Sequence, residues 1–169
     1  SADGSIVVYG ANSTFNGDDG ADLTTTTPGY GVYLYYTNNF ADNDDVGLLV
    51  NSTGAITLYN INADFNLGSG AVLNATTDGY AVDLYGSNYF TQNGDSGLFI
   101  NGAGAVTLYN VTARLNTGNG VEVNNQDSLS GLGVTIYGTN VFNDNAIGLK
   151  VLSHGIITTY NLYASGNTA

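Results

Sequence analysis

Apolar and polar residues alternate in short runs along the whole chain, and the runs recur. A tyrosine follows an apolar-x-apolar triplet at Tyr9, Tyr35, Tyr59, Tyr85, Tyr109, Tyr137 and Tyr160, at intervals of 23 to 28 residues. A period of two within each run predicts strands, and the turn signals between runs leave no room for helical pairs. The first run of each repeat aligns Ile6 and Val8, Val32 and Leu34, Ile56 and Leu58, Val82 and Leu84, Val106 and Leu108, Val134 and Ile136 on one face, with Ile157 and Thr159 as an imperfect last member. Thr57, Asp83 and Thr107 fall on the opposite face. A later run does the same with Ala21 and Leu23, Leu48 and Val50, Ala71 and Leu73, Leu98 and Ile100, Val121 and Val123, Leu149 and Val151.

Between the two runs lies a fixed sequence of turn residues. Asparagine follows each tyrosine by seven or eight residues, at Asn16, Asn43, Asn66, Asn93, Asn116, Asn145 and Asn167. Glycine follows three or four residues later, at Gly20, Gly47, Gly70, Gly97, Gly120 and Gly148. Three residues before each asparagine stand Ser13, Phe40, Ala63, Phe90, Ala113, Phe142 and Ala164, alternately small and large. Stacking phenylalanine at every level would overfill a narrow core and stacking alanine would leave voids, so the alternation evens the density.

These columns predict an all-β chain, a right-handed parallel β-helix of about seven coils with three strands each, spanning residues 1–169 as one domain. The true repeat is two coils, about 50 residues, and long outer loops (24–30, 76–80 and 124–132) alternate with short ones (51–54, 101–104 and 152–155). Neither end shows a capping helix, so the open strand edges are expected to pair with other protein, by end-to-end self-association or within a longer rod. Such stacking would set Ala164 against Ser13, two small residues together.

The stretches 56–61 through Asn66 and Gly70, and 106–111 through Asn116 and Gly120, resemble the parallel β-helix repeats of the pectin-lyase-like superfamily. The resemblance implies the fold and a stacked structural asparagine at the turn between second and third strands, which the Asn16 to Asn167 column matches. It implies little about activity, since that solenoid carries lyases, hydrolases, tailspikes, adhesins and inert stalks. The ladder also has a reason of its own. Stacked side-chain amides satisfy one another and the turn backbone, and asparagine tolerates a left-handed turn conformation.

Composition narrows the partners. Fourteen acidic residues against Arg114 and Lys150 give a net charge of −12, which repels nucleic acid and anionic lipid. No run is long and apolar enough to insert into a membrane, no signal peptide opens the chain, and no cysteine is present. Low charge with abundant Gly, Asn, Thr and Ser is common in secreted solenoids, so the expected location is extracellular or at a cell surface.

Candidate chemistry is sparse. The seven tyrosines are expected outside or at a corner, stacked into an aromatic track that either stiffens the rod or lies against sugar or a neighbouring fibre. Asp18 and Asp45 stand at equivalent turn positions in adjacent coils, a carboxylate pair suited to calcium; no other cofactor is expected. Lyase or hydrolase chemistry would need acids joined by a base, yet Asp44 and Asp45 lie more than four coils from His154. Sequons at Asn12, Asn51, Asn74 and Asn110 are as many as this composition yields by chance. The sequence therefore reads as no enzyme but an extracellular structural β-solenoid, the shaft or subunit of a surface fibre, filament or adhesin. The alternative is a carbohydrate-binding or polysaccharide-processing β-helix with the tyrosines, Phe99 and loop aspartates as its surface.

Overall fold

The computed structural model covers residues 1–169. It has no helix, and its twenty strands form three all-parallel sheets, as a β-solenoid requires. The first sheet stacks β1 (Ile6–Tyr9), β4 (Val32–Tyr35), β7 (Ile56–Tyr59), β10 (Val82–Tyr85), β13 (Val106–Tyr109), β16 (Val134–Tyr137) and β19 (Ile157–Thr159). The second stacks β2 (Asn12–Thr14), β5 (Asn38–Ala41), β8 (Ile61–Asn62), β11 (Asn88–Thr91), β14 (Val111–Arg114), β17 (Asn140–Asn143) and β20 (Leu162–Ser165). The third stacks β3 (Ala21–Thr24), β6 (Leu48–Ser52), β9 (Ala71–Ala75), β12 (Leu98–Gly102), β15 (Val121–Asn125) and β18 (Leu149–Ser153). The chain thus makes six complete turns, and a seventh that lacks its third strand.

Register follows the columns read from the sequence. Val82 pairs with Ile56 and Val106, Leu98 with Ala71 and Val121, and Phe90 with Ala113. Alternate residues point inward because Cβ direction alternates along a strand, and the inward set forms one apolar cluster of 26 buried residues. Ile6, Val8, Ala21, Leu23, Leu149 and Val151 in the end coils are less covered, having a neighbour on one side only.

The two-coil period has a second buried component that the pattern of apolar residues does not disclose. Asn38, Asn88 and Asn140 are fully buried in the second, fourth and sixth coils, facing Ile61, Val111 and Leu162 of the next coils. Each belongs to the same coil as Phe40, Phe90 or Phe142. From the second coil on, a coil therefore carries either asparagine with phenylalanine or a larger aliphatic residue with alanine, so the bulk moves from one position to the other in alternate coils. The buried amides are satisfied by backbone: Asn88 Oδ1 accepts from the Ile61 N–H at 3.1 Å, and its Nδ2 donates to the Tyr109 carbonyl at 2.9 Å.

The longer loops lie above one another at alternate coils. Asp78 reaches across the intervening short loop, accepting bonds from the Leu129 N–H and the Ser130 hydroxyl, both at 3.0 Å.

Candidate functional site

Two corners of the solenoid hold almost all the residues singled out in the sequence. At the first, β1 and its equivalents turn into the second sheet, and the seven tyrosines stack without a break. Neighbouring ring centroids lie 5.0 to 5.6 Å apart, with interplanar angles from 7° to 34°. Each inner ring has a neighbour on both faces, so the column presents edges and hydroxyls to solvent. Only Tyr9 and Tyr160, at its ends, have a ring face without a tyrosine from this column beyond it, and Tyr36 lies 5.9 Å from Tyr9. Burial raises the Tyr85 phenol above its ordinary value, and the Asp83 charge adds to the shift.

The residue after each tyrosine turns the corner with positive φ: Gly10, Tyr36, Asn60, Gly86, Asn110, Gly138 and Asn161. Even coils carry one more residue here, Thr37, Ser87 and Thr139 projecting, which is why the tyrosine-to-asparagine spacing alternates between seven and eight. Asn60 and Asn110 clamp these projections by accepting the Ser87 and Thr139 N–H groups at 3.1 and 3.0 Å. The sequon nitrogen of Asn110 is engaged as well, donating to the Gly86 carbonyl at 3.0 Å, and Nδ2 of Asn74 is held by Asn51 Oδ1 at 2.9 Å.

The second corner, between second and third sheets, carries the asparagine ladder. From Asn43 to Asn167 every amide oxygen accepts two bonds from the preceding asparagine, one from its backbone N–H at 3.0 to 3.2 Å and one from its Nδ2 at 2.8 to 3.3 Å. The other Nδ2 proton points back to a carbonyl of the previous coil, as from Asn66 to Phe40 at 3.1 Å and from Asn116 to Phe90 at 3.0 Å. Each inner amide thus uses both donors and its acceptor.

The sequence leads to the expectation of left-handed backbone at the ladder asparagines themselves. The ladder asparagines do not take up the left-handed backbone; the residue before each of them does. These are Phe15, Asp42, Phe65, Gln92, Leu115, Asp144 and Gly166, with φ between 56° and 67°. The asparagine has to aim its amide along the axis, so the preceding residue makes the bend. The glycines after the ladder also have a reason beyond turn formation. A Cβ on Gly97 would lie 2.8 Å from Asn116 Nδ2 and 2.6 Å from the Gly120 carbonyl. Glycine lets the ladder amide lie against the backbone.

Eight of the fourteen acidic residues sit in the segments of this corner: Asp18, Asp19, Asp42, Asp44, Asp45, Asp64, Asp95 and Asp144. Asp18 and Asp45 do come together, and Asp19, which stands outside their column in the sequence, joins them, with one carboxylate oxygen of each within 4.8 Å of the others. Burial raises the Asp19 pKa, and the charges of Asp45, Asp18 and Asp22 push it further, against a 3.1 Å bond from the Val46 N–H that lowers it. A hard cation is the chemistry such oxygens suit. Asp18 and Asp45 are exposed, Asp19 half-buried.

The remaining ionisable groups are dispersed. His154 is exposed at the third corner, away from Asp44 and Asp45 at the second. Lys150 pairs with Glu122 at 2.7 Å on the outer face of the third sheet. Arg114, the other cation, is exposed at the end of β14. Asp64 and Asp83 both have raised pKa values from burial, opposed by a 2.7 Å bond from the Thr91 N–H and by the Thr107 hydroxyl respectively. Compared with family models, with curated proteins and with solved structures, the chain matches none of the three.

Proposed function

We propose that the chain is an extracellular structural β-solenoid, the shaft or subunit of a self-assembling surface fibre, filament or adhesin, and a non-catalytic relative of the pectin-lyase-like proteins. The observation that carries this reading is the unbroken continuity of both ladders. Every coil hands the same bonds to the next, so each coil adds an equivalent interface along one continuous rod.

Electron microscopy and light scattering across a dilution series test the reading. Rods or filaments longer than one chain, shortening on dilution, are expected. A stable monomer at micromolar concentration, or turnover in a polysaccharide degradation assay, would overturn it.

A further inference from the structure

The left-handed residues of the second corner include three that the fold does not account for. Phe15, Phe65 and Leu115 have φ of 57°, 59° and 58°, and are 81%, 51% and 51% exposed. Gly166 makes the same bend with no side chain. A large apolar residue here accepts backbone strain and gains little burial in return, and strain of this kind gathers where a surface is used. The three lie in the first, third and fifth coils, separated by polar Asp42 and Gln92. They therefore form knobs two strand spacings apart, about 9.6 Å. Between Phe65 and Leu115 the chain drops to Gly94, leaving a groove of about 460 Å³ to which Leu67, 70% exposed, adds another apolar wall.

We propose that this ridge docks a basic, proline-rich polypeptide segment in the polyproline II conformation. Two observations select that occupant. The first is charge: this corner carries eight carboxylates against one cation, Arg114, so an apolar partner with basic side chains is attracted, whereas a second copy of this chain would bring like charge to like. The second is spacing. A polyproline II helix repeats every three residues, roughly 9.3 Å, and keeps step with the knobs. Seven residues of α-helix advance roughly 10.5 Å and lose about 2 Å of register over the three knobs. Proline rings would lie against Phe15, Phe65 and Leu115, and every third residue would direct a cation to the neighbouring aspartates, a mode of recognition that uses a pre-extended ligand.

The test is fluorescence anisotropy with a labelled peptide repeating Pro-Pro-Arg and a control repeating Pro-Pro-Pro-Arg, titrated with the wild-type chain and with the double variant Phe65→Asn, Leu115→Asn. Asparagine accepts the left-handed bend, so circular dichroism and the Tm of the double variant should match or exceed the wild type. The in-step peptide should bind, weaken as salt rises, and lose about tenfold or more in the double variant, while the out-of-step control binds at least about tenfold less tightly. Equal affinity for the two peptides, no binding, or binding unchanged in the double variant overturns the proposal. Self-association in sedimentation, or retention on a β-1,4-linked glycan, that disappears in the double variant would also overturn it by assigning the ridge to another occupant.

Discussion

Asn93 Oδ1 accepts both the backbone N–H and the Nδ2 of Asn66, at 3.1 and 3.0 Å, while Asn93 Nδ2 itself donates to Asn116 Oδ1 and to the Ala63 carbonyl, each at 3.0 Å. The amide is buried and all three of its hydrogen-bonding roles are taken. Asn93→Asp keeps the shape but turns the donor into an acceptor, setting a buried charge against two oxygens. A loss of about 3 to 5 kcal/mol is expected in urea unfolding, because an uncompensated buried charge costs that order. Asn16→Asp, in a half-exposed position with water at hand, should cost much less. Equal losses would mean the ladder is no more than a surface decoration.

The glycine column makes a second, sharper test of the same ladder. Gly97→Ala forces a Cβ between Asn116 Nδ2 and the Gly120 carbonyl and should destabilise by about 1 to 3 kcal/mol or more, as overpacking does. Gly102 is the control: there a Cβ would meet nothing nearer than a Val106 methyl at 3.4 Å, and φ is not positive. Gly102→Ala should be neutral or stabilise by about 0.4 to 1 kcal/mol through the unfolded chain. Thermal unfolding of the two variants side by side reads the difference.

The large-small alternation is tested by Phe90→Ala. Phe90 is fully buried and pairs with Ala113, so the void left has no large neighbour able to fill it, and a loss of about 3 to 5 kcal/mol is expected. Tyr85→Ala removes a ring lying outside the core between Tyr59 and Tyr109. It should cost much less, near the order of two stacking contacts, about 1 to 3 kcal/mol. A larger loss for the tyrosine in denaturant unfolding would reverse the assignment of inside and outside.

Period two and the recurrence of tyrosine, asparagine and glycine made the three sheets, the core columns and the ladder legible in the sequence. Parallel stacking converts a sequence interval directly into a neighbour in space, which is why Asp18 could be placed beside Asp45. What escaped was set by geometry within a turn. Asp19 faces the same point as Asp18 and Asp45 because the turn bends there, and no column count reports a bend. Asn38, Asn88 and Asn140 were missed because a polar residue in a strand reads as outward, whereas their backbone partners draw them in. The left-handed positions were displaced by one residue for the same kind of reason: asparagine is the statistical favourite for that bend, and here its amide is needed elsewhere.

Acid should stabilise this protein before it harms it. Asp19, Asp64 and Asp83 all have pKa values raised above 3.8, with burial the largest cause in each, so the folded state holds their protons more tightly than the unfolded chain does. Their protonation therefore adds stability that is complete below the unfolded value of 3.8 and is lost as pH rises through the higher folded values. The net charge of −12 acts in the same direction, since self-repulsion falls as carboxylates are neutralised. The Tm should rise as pH is lowered from about 7 to about 4, the reverse of ordinary acid denaturation, where carboxylates stabilised in the folded state must be protonated. Added salt at neutral pH should raise the Tm as well, and Asp83→Asn should flatten part of the pH dependence while leaving the Asp19 and Asp64 contributions in place. Differential scanning calorimetry over that range is the measurement, and a Tm that falls steadily on acidification would overturn the expected net stabilisation by acid.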